Sequence, residues 1–158
     1  MKSLTTALLI GTAFAAAWAT GRKQTSQPFS IEISAPTAPV KAGSDVYLKV
    51  RLINTSNREV VLGDEVTQWM GADPRYGYQC HDSGGKAVNR SYPVVGSLGD
   101  HPVATLKPGE KYEHSVRVSS ACDLTRPGKY RIQLSRSDPS DSKRVIVRSN
   151  EITVTVKP

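Results

Sequence analysis

The sequence predicts an all-β protein folded as a two-sheet antiparallel sandwich. Three observations carry that reading. Apolar residues recur at every second position through most of the chain, which marks strands with one buried face. Clusters of Gly, Pro, Asn, Asp and Ser interrupt these runs at short intervals, as turns do. Beyond the first 19 residues no stretch shows the 3.6-residue period of an amphipathic helix. About seven to nine short strands spaced this way suit a sandwich.

The chain opens differently. Lys2 precedes an uncharged, apolar stretch over residues 4–17, and Ala17-Trp18-Ala19 follows with the small-x-small order of a cleavage site. Residues 1–19 read as a secretory signal peptide. The apolar part is shorter than the roughly 20 residues a membrane span needs, and no Cys follows it to carry a lipid anchor. Residues 20–28 are polar and read as a flexible leader. Residues 29–158 read as one domain, secreted or periplasmic, with no membrane span after cleavage.

Within that domain the elements follow in order. Phe29, Ile31 and Ile33 alternate with polar neighbours, and Pro36 and Pro39 then break the ladder. Val46, Leu48, Val50 and Leu52 share one face of the clearest strand, which ends in the polar turn Asn54-Thr55-Ser56-Asn57. Residues 59–62 form a short strand, and residues 63–74 read as a loop. Residues 75–82 alternate again, with Tyr76, Tyr78 and Cys80 on one face. Ser83-Gly84-Gly85 turns the chain into a returning strand over residues 86–90. Residues 91–103 read as a second long loop, followed by the turn Leu106-Lys107-Pro108-Gly109-Glu110. Tyr112, His114, Val116 and Val118 then share a face, so His114 is expected inside. A turn over residues 125–128 leads to Tyr130, Ile132 and Leu134. Residues 137–142 are a polar loop, residues 145–147 a short strand, and Ile152, Val154 and Val156 close the chain.

The residues Asp123-Leu124-Thr125-Arg126-Pro127-Gly128-Lys129-Tyr130 resemble the Asp-x-x-x-x-Gly-x-Tyr corner that opens strand F of immunoglobulin-like domains. The resemblance implies that Asp123, Gly128 and Tyr130 form a structural corner, with the tyrosine hydroxyl bonded to nearby backbone. Ile132 stands where antibody domains carry their second Cys, so the usual inter-sheet disulfide is absent. More narrowly, residues 106–110, this corner and the Ser149-Asn150-Glu151-Ile152-Thr153-Val154 ending are similar to bacterial β-sandwich domains. These precede the catalytic domain of secreted lysine-specific metallo-endopeptidases. The pattern also resembles the proteinase inhibitor domain known from bacilli. Such motifs describe turns and strands, so they speak for fold more than for function.

The formal charge is +7, but the longest basic runs are pairs such as Arg22-Lys23 and Lys143-Arg144. This is the pattern of a solubilising surface, not of a nucleic-acid patch. The two cysteines, Cys80 and Cys122, form an even pair in an exported chain, and one disulfide between them is expected.

Chemistry-bearing residues are sparse. His81, His101 and His114 lack the paired spacing of zinc ligands. Cys80 and His81 point to opposite faces of a strand, so no metal or cofactor is expected. No Gly-x-Ser-x-Gly or His-Glu-x-x-His is present, and catalysis is not expected. Asn54-Thr55-Ser56 and Asn89-Arg90-Ser91 match the glycosylation pattern but read as turns. Residues 68–78 gather Trp69, Met70, Arg75, Tyr76 and Tyr78, residue types that recognition loops favour; the competing reading puts Trp69 in the core. Pro93 and His101, in the second long loop, complete the candidate binding set. The expected function is that of a secreted, non-catalytic module that binds or supports a protein partner, an extracellular peptidase or an envelope protein. A stand-alone proteinase inhibitor, presenting residues 91–103, is the alternative, and a periplasmic metal-binding protein the second.

Overall fold

The computed structural model describes residues 27–64, 71–91, 103–138 and 145–158, with the backbone alone described at Asp64, Val103 and Ala104. Ten strands are present among these residues: β1 (Phe29–Ser34), β2 (Val40–Lys41), β3 (Tyr47–Asn54), β4 (Val60–Asp64), β5 (Gly77–Asp82), β6 (Val103–Leu106), β7 (Lys111–Arg117), β8 (Gly128–Ser137), β9 (Ile146–Arg148) and β10 (Ile152–Lys157). A 3-10 turn, Val118–Ser120, follows β7.

Two sheets enclose the core. One runs β1-β3-β7, antiparallel throughout. The other runs β2-β10-β8-β5, with β9 also on β8. A separate ribbon pairs β4 with β6. The register follows from side-chain period: Leu52 lies between Ile31 and Tyr112, Val50 between Ile33 and His114, and Leu48 beside Val116. A slip of one residue would turn that whole apolar set toward water. Leu48, Val50, Leu52, Ile132, Leu134 and Val154 meet in one hydrophobic core.

β8 is the longest strand and organises the second sheet. Its first half pairs with β10 and its last three residues with β9, while β5 flanks it on the other side. Between β9 and β10 the ladder is interrupted. The Leu134 amide donates to Ser149 Oγ at 3.0 Å, and the Ser149 amide to the Leu134 carbonyl at 2.9 Å.

That interruption frees Asn150 to clamp the outer edge of β1. Its Oδ1 accepts from the Ile33 amide at 2.8 Å and its Nδ2 donates to the Ile33 carbonyl at 2.9 Å. Asn89 treats the edge of β5 in the same manner, accepting from the Cys80 amide and donating to the Tyr78 carbonyl at 2.7 Å. The carboxamide mimics a peptide unit, so both strand edges are covered without another strand. Asn54 is buried at the end of β3 and donates to the Arg58 and Leu106 carbonyls. Both glycosylation-like asparagines therefore serve the fold.

The elements depart from the sequence reading in four places. Residues 86–90 form no strand; they return along β5 with one isolated bridge, His81 to Ala87, while Asn89 meets β5 through its side chain and bridges to Cys122 instead. The turn before them is present, with Gly85 at φ +81. Residues 103–106, read as loop and turn, form β6 against β4. Val40 and Lys41 pair parallel with Val156 and Lys157, a contact two residues long and too short to show a period. Arg75 and Tyr76 precede β5 in a turn closed by the Tyr76 amide on the Asp73 carbonyl at 3.2 Å.

Candidate functional site

The two ends of β8 carry the residues of interest. At its start, Tyr130 is 5% exposed and its hydroxyl donates to the Arg126 carbonyl at 2.7 Å. Asp123 Oδ1 accepts from Thr125 Oγ1 at 2.6 Å and from Arg90 at 2.7 Å. These bonds, the Thr125 hydroxyl first, hold the Asp123 carboxyl down to about 2. Gly128 opens β8 with its Cα side close to the Tyr130 ring. Nearby, Cys80 and Cys122 are joined by a disulfide with Cα atoms 5.8 Å apart, both fully buried. The bond ties β5 to the segment that leaves the other sheet.

At the far end of β8 the inward parity of Tyr130, Ile132 and Leu134 continues into Arg136, which is 5% exposed. Its guanidinium donates to Tyr76 Oη at 3.3 Å and to the Leu62 carbonyl, and lies 5.3 Å from the Tyr76 ring centroid. Tyr76 Oη is in turn 3.0 Å from His114 Nε2. The His114 ring packs against both Tyr76 and Tyr112, and its Nδ1 is buried with no hydrogen-bond partner among the described residues. Asp73, also buried, holds Arg75 with bonds of 2.9 Å to Nε and 2.7 Å to Nη2. Tyr78 donates to the Asp73 carbonyl at 3.1 Å.

Electrostatics follow from this crowding. Burial first, and then the Arg75 charge, lower the His114 imidazole to about 4; Arg136 adds to the effect and Asp73 opposes it. Burial pushes the Tyr76 phenol up to about 12. Burial alone would lower Arg75, but its bond and charge pairing with Asp73 outweigh that, and its pKa rises. The arrangement fixes a neutral imidazole and a neutral phenol between two guanidinium groups.

The candidate binding residues thus fall differently from the sequence reading. Tyr76 and Tyr78 are 3% and 8% exposed, and Arg75, partly buried, pairs with Asp73. The reason is strand parity: both tyrosines share the inner side with Cys80, and each hydroxyl has a buried partner. Trp69, Pro93 and His101 lie outside the described residues. The His114 cluster went unread, although Arg136 on the inward parity of β8 was a legible signal.

One of the exposed surfaces among the described residues is concave. On the outer face of β1-β3-β7, Arg51 bridges Glu32 at 3.4 Å and Glu113 at 2.6 Å. Lys49 lies between Ser34 and Ser115, and Tyr47, 48% exposed, beside Arg117. A concavity of about 660 Å³ runs over this face.

With β1, β3 and β7 standing as strands A, B and E, and β5, β8 and β10 as C, F and G, the molecule is an immunoglobulin-like β-sandwich with a tyrosine corner. No family model matches the chain, and no curated protein does. Among solved structures it is similar to a FixG-related protein from Vibrio parahaemolyticus, at 13% identity over 84% of this chain and 99% of that one, with a TM-score of 0.44. It is also similar to the CARDB domain of a Pyrococcus furiosus protein, solved in complex with di-metal ions. There the identity is 15% over 82% of this chain and 87% of that one, with a TM-score of 0.40.

Proposed function

We propose that this is an exported, non-catalytic module that binds a protein partner, an extracellular peptidase or an envelope protein, across the outer face of β1-β3-β7. The observation that carries the reading is that face itself. Tyr47, Lys49 and Arg51 stand there on a strand paired on both sides, while Tyr76 and Tyr78 are folded inward. An aromatic and a guanidinium held on rigid backbone offer contact area at low entropic cost. The disulfide suits an oxidising compartment, in keeping with the signal-like start. The resemblance to domains that accompany lysine-specific metallo-endopeptidases favours a peptidase as the partner.

Two measurements test the reading. The chain recovered outside the cytoplasm should begin close to Thr20; a form that keeps Met1 and stays in the cytoplasm overturns export. The double variant Tyr47→Ala, Lys49→Glu should melt within about 2 °C of the parent, since both are surface changes. It should bind a purified extracellular peptidase of the same host at least tenfold more weakly. Undiminished binding removes this face as the interface.

A further inference from the structure

His114 sits where an added proton has no place to go. In its neutral form one ring nitrogen bonds Tyr76 Oη, which also accepts from Arg136, and Nδ1 is buried without a partner among the described residues. Protonation makes both nitrogens donors. Nε2–H must then share the Tyr76 oxygen with the Arg136 donor, the Tyr76 hydroxyl can no longer donate to Nε2, and Nδ1–H finds no described acceptor. Among the described residues, the groups facing the ring are Tyr112 from its own strand, Arg136 from β8, and Asp73, Arg75 and Tyr76 from the turn before β5. Two are cations and one is an anion already held bidentately by Arg75. A charged imidazole there is desolvated and repelled.

We propose that the Tyr76–His114–Arg136 cluster is an acid-operated latch, in which protonation of His114 releases residues 73–78 from the inner face of β7. Residues 73–78 carry Arg75, Tyr76 and Tyr78, so opening the latch would expose an aromatic and basic surface that the closed sandwich hides. The inference stands whether or not the outer face binds a partner. The sign follows from the folded-state pKa lying below the ordinary 6.5: the unfolded or opened chain takes up the proton more readily. The closed state is therefore disfavoured as pH falls from about 6.5 toward 4.

NMR of the exported chain between pH 7.5 and 4 reads the latch directly. The His114 ring should titrate well below the ordinary histidine range. At pH 5 the protection factors of the amides of residues 73 and 75–78 should be at least tenfold lower than at pH 7.5, while those of Ile132 and Leu134 are unchanged. Between pH 6.5 and 4.5 the parent should lose about tenfold or more in folded-to-unfolded ratio relative to His114→Gln, which cannot take the proton. An ordinary titration near 6.5 overturns the latch. So does opening of residues 73–78 only together with Ile132 and Leu134. If the variant does not fold, the ring titration and the exchange pattern of the parent decide alone.

Discussion

Around Ile132 and Leu134 the sandwich is closed by hydrocarbon; one inward position further along the same strand, at Arg136, it is closed by hydrogen bonds. Both regions exclude water, but they respond differently to change. The centre gains free energy from apolar area, which is non-directional and insensitive to protons. The polar end depends on each donor meeting its acceptor, so a single deletion strands the others. One strand thus carries a region indifferent to protons and a region that is not.

The largest expected effect comes from the cross-link beside the apolar centre. Replacing Cys80 and Cys122 by Ser opens a loop of 42 residues, and should lower stability by about 4 kcal/mol in the chain-entropy account. Urea unfolding of the double variant and of the reduced parent should agree; a variant as stable as the oxidised parent would remove the disulfide from the account. Ile132→Ala should cost about 3 kcal/mol through lost burial and a residual cavity, by the same amount at pH 7 and pH 5. A strong pH dependence would erase the contrast between the two regions.

Tyr76→Phe should cost about 2 kcal/mol at pH 7, because it leaves the Arg136 donor and the His114 nitrogen without their shared oxygen. That penalty should shrink toward pH 5, where His114 protonation already weakens the parent; a constant penalty would count against the coupling. Tyr130→Phe should cost only about 1 kcal/mol, since the Arg126 carbonyl it frees lies near solvent. An unchanged midpoint and slope would deny the corner its hydroxyl bond.

Acid titration arranges the regions in order. Stability tied to His114, whose pKa is depressed, should go first, between about pH 6.5 and 4. Asp123 is held below its ordinary 3.8 by Thr125 and then Arg90. Its share is present above that value and is lost as pH falls through about 2. The polar end should therefore loosen while the corner holds.

Much of this was legible in the residues. The Asp123 to Tyr130 corner is local: donor and acceptor lie four residues apart, so its spacing is readable. The inner face of β3 is equally local, because period 2 assigns Leu48, Val50 and Leu52 to one side. Burial of Tyr76 and Tyr78 was implied by their shared parity with Cys80, yet their residue types suggested a recognition surface instead. β6 and the two-residue β2 were not legible, since they exist only through partners far along the chain.

What the sequence alone determined was the face of each strand long enough to alternate, most of the turns, the corner and a single possible cysteine pairing. What only the tertiary structure decided was neighbourhood. Tyr76 meets His114 across 38 residues and Arg136 across 60, and Arg136 reaches the Leu62 carbonyl across 74. Side-chain period states which way a residue points but not what waits there. A half-buried histidine acquires its depressed pKa from desolvation, and then from charges, that only the packing of two sheets brings about.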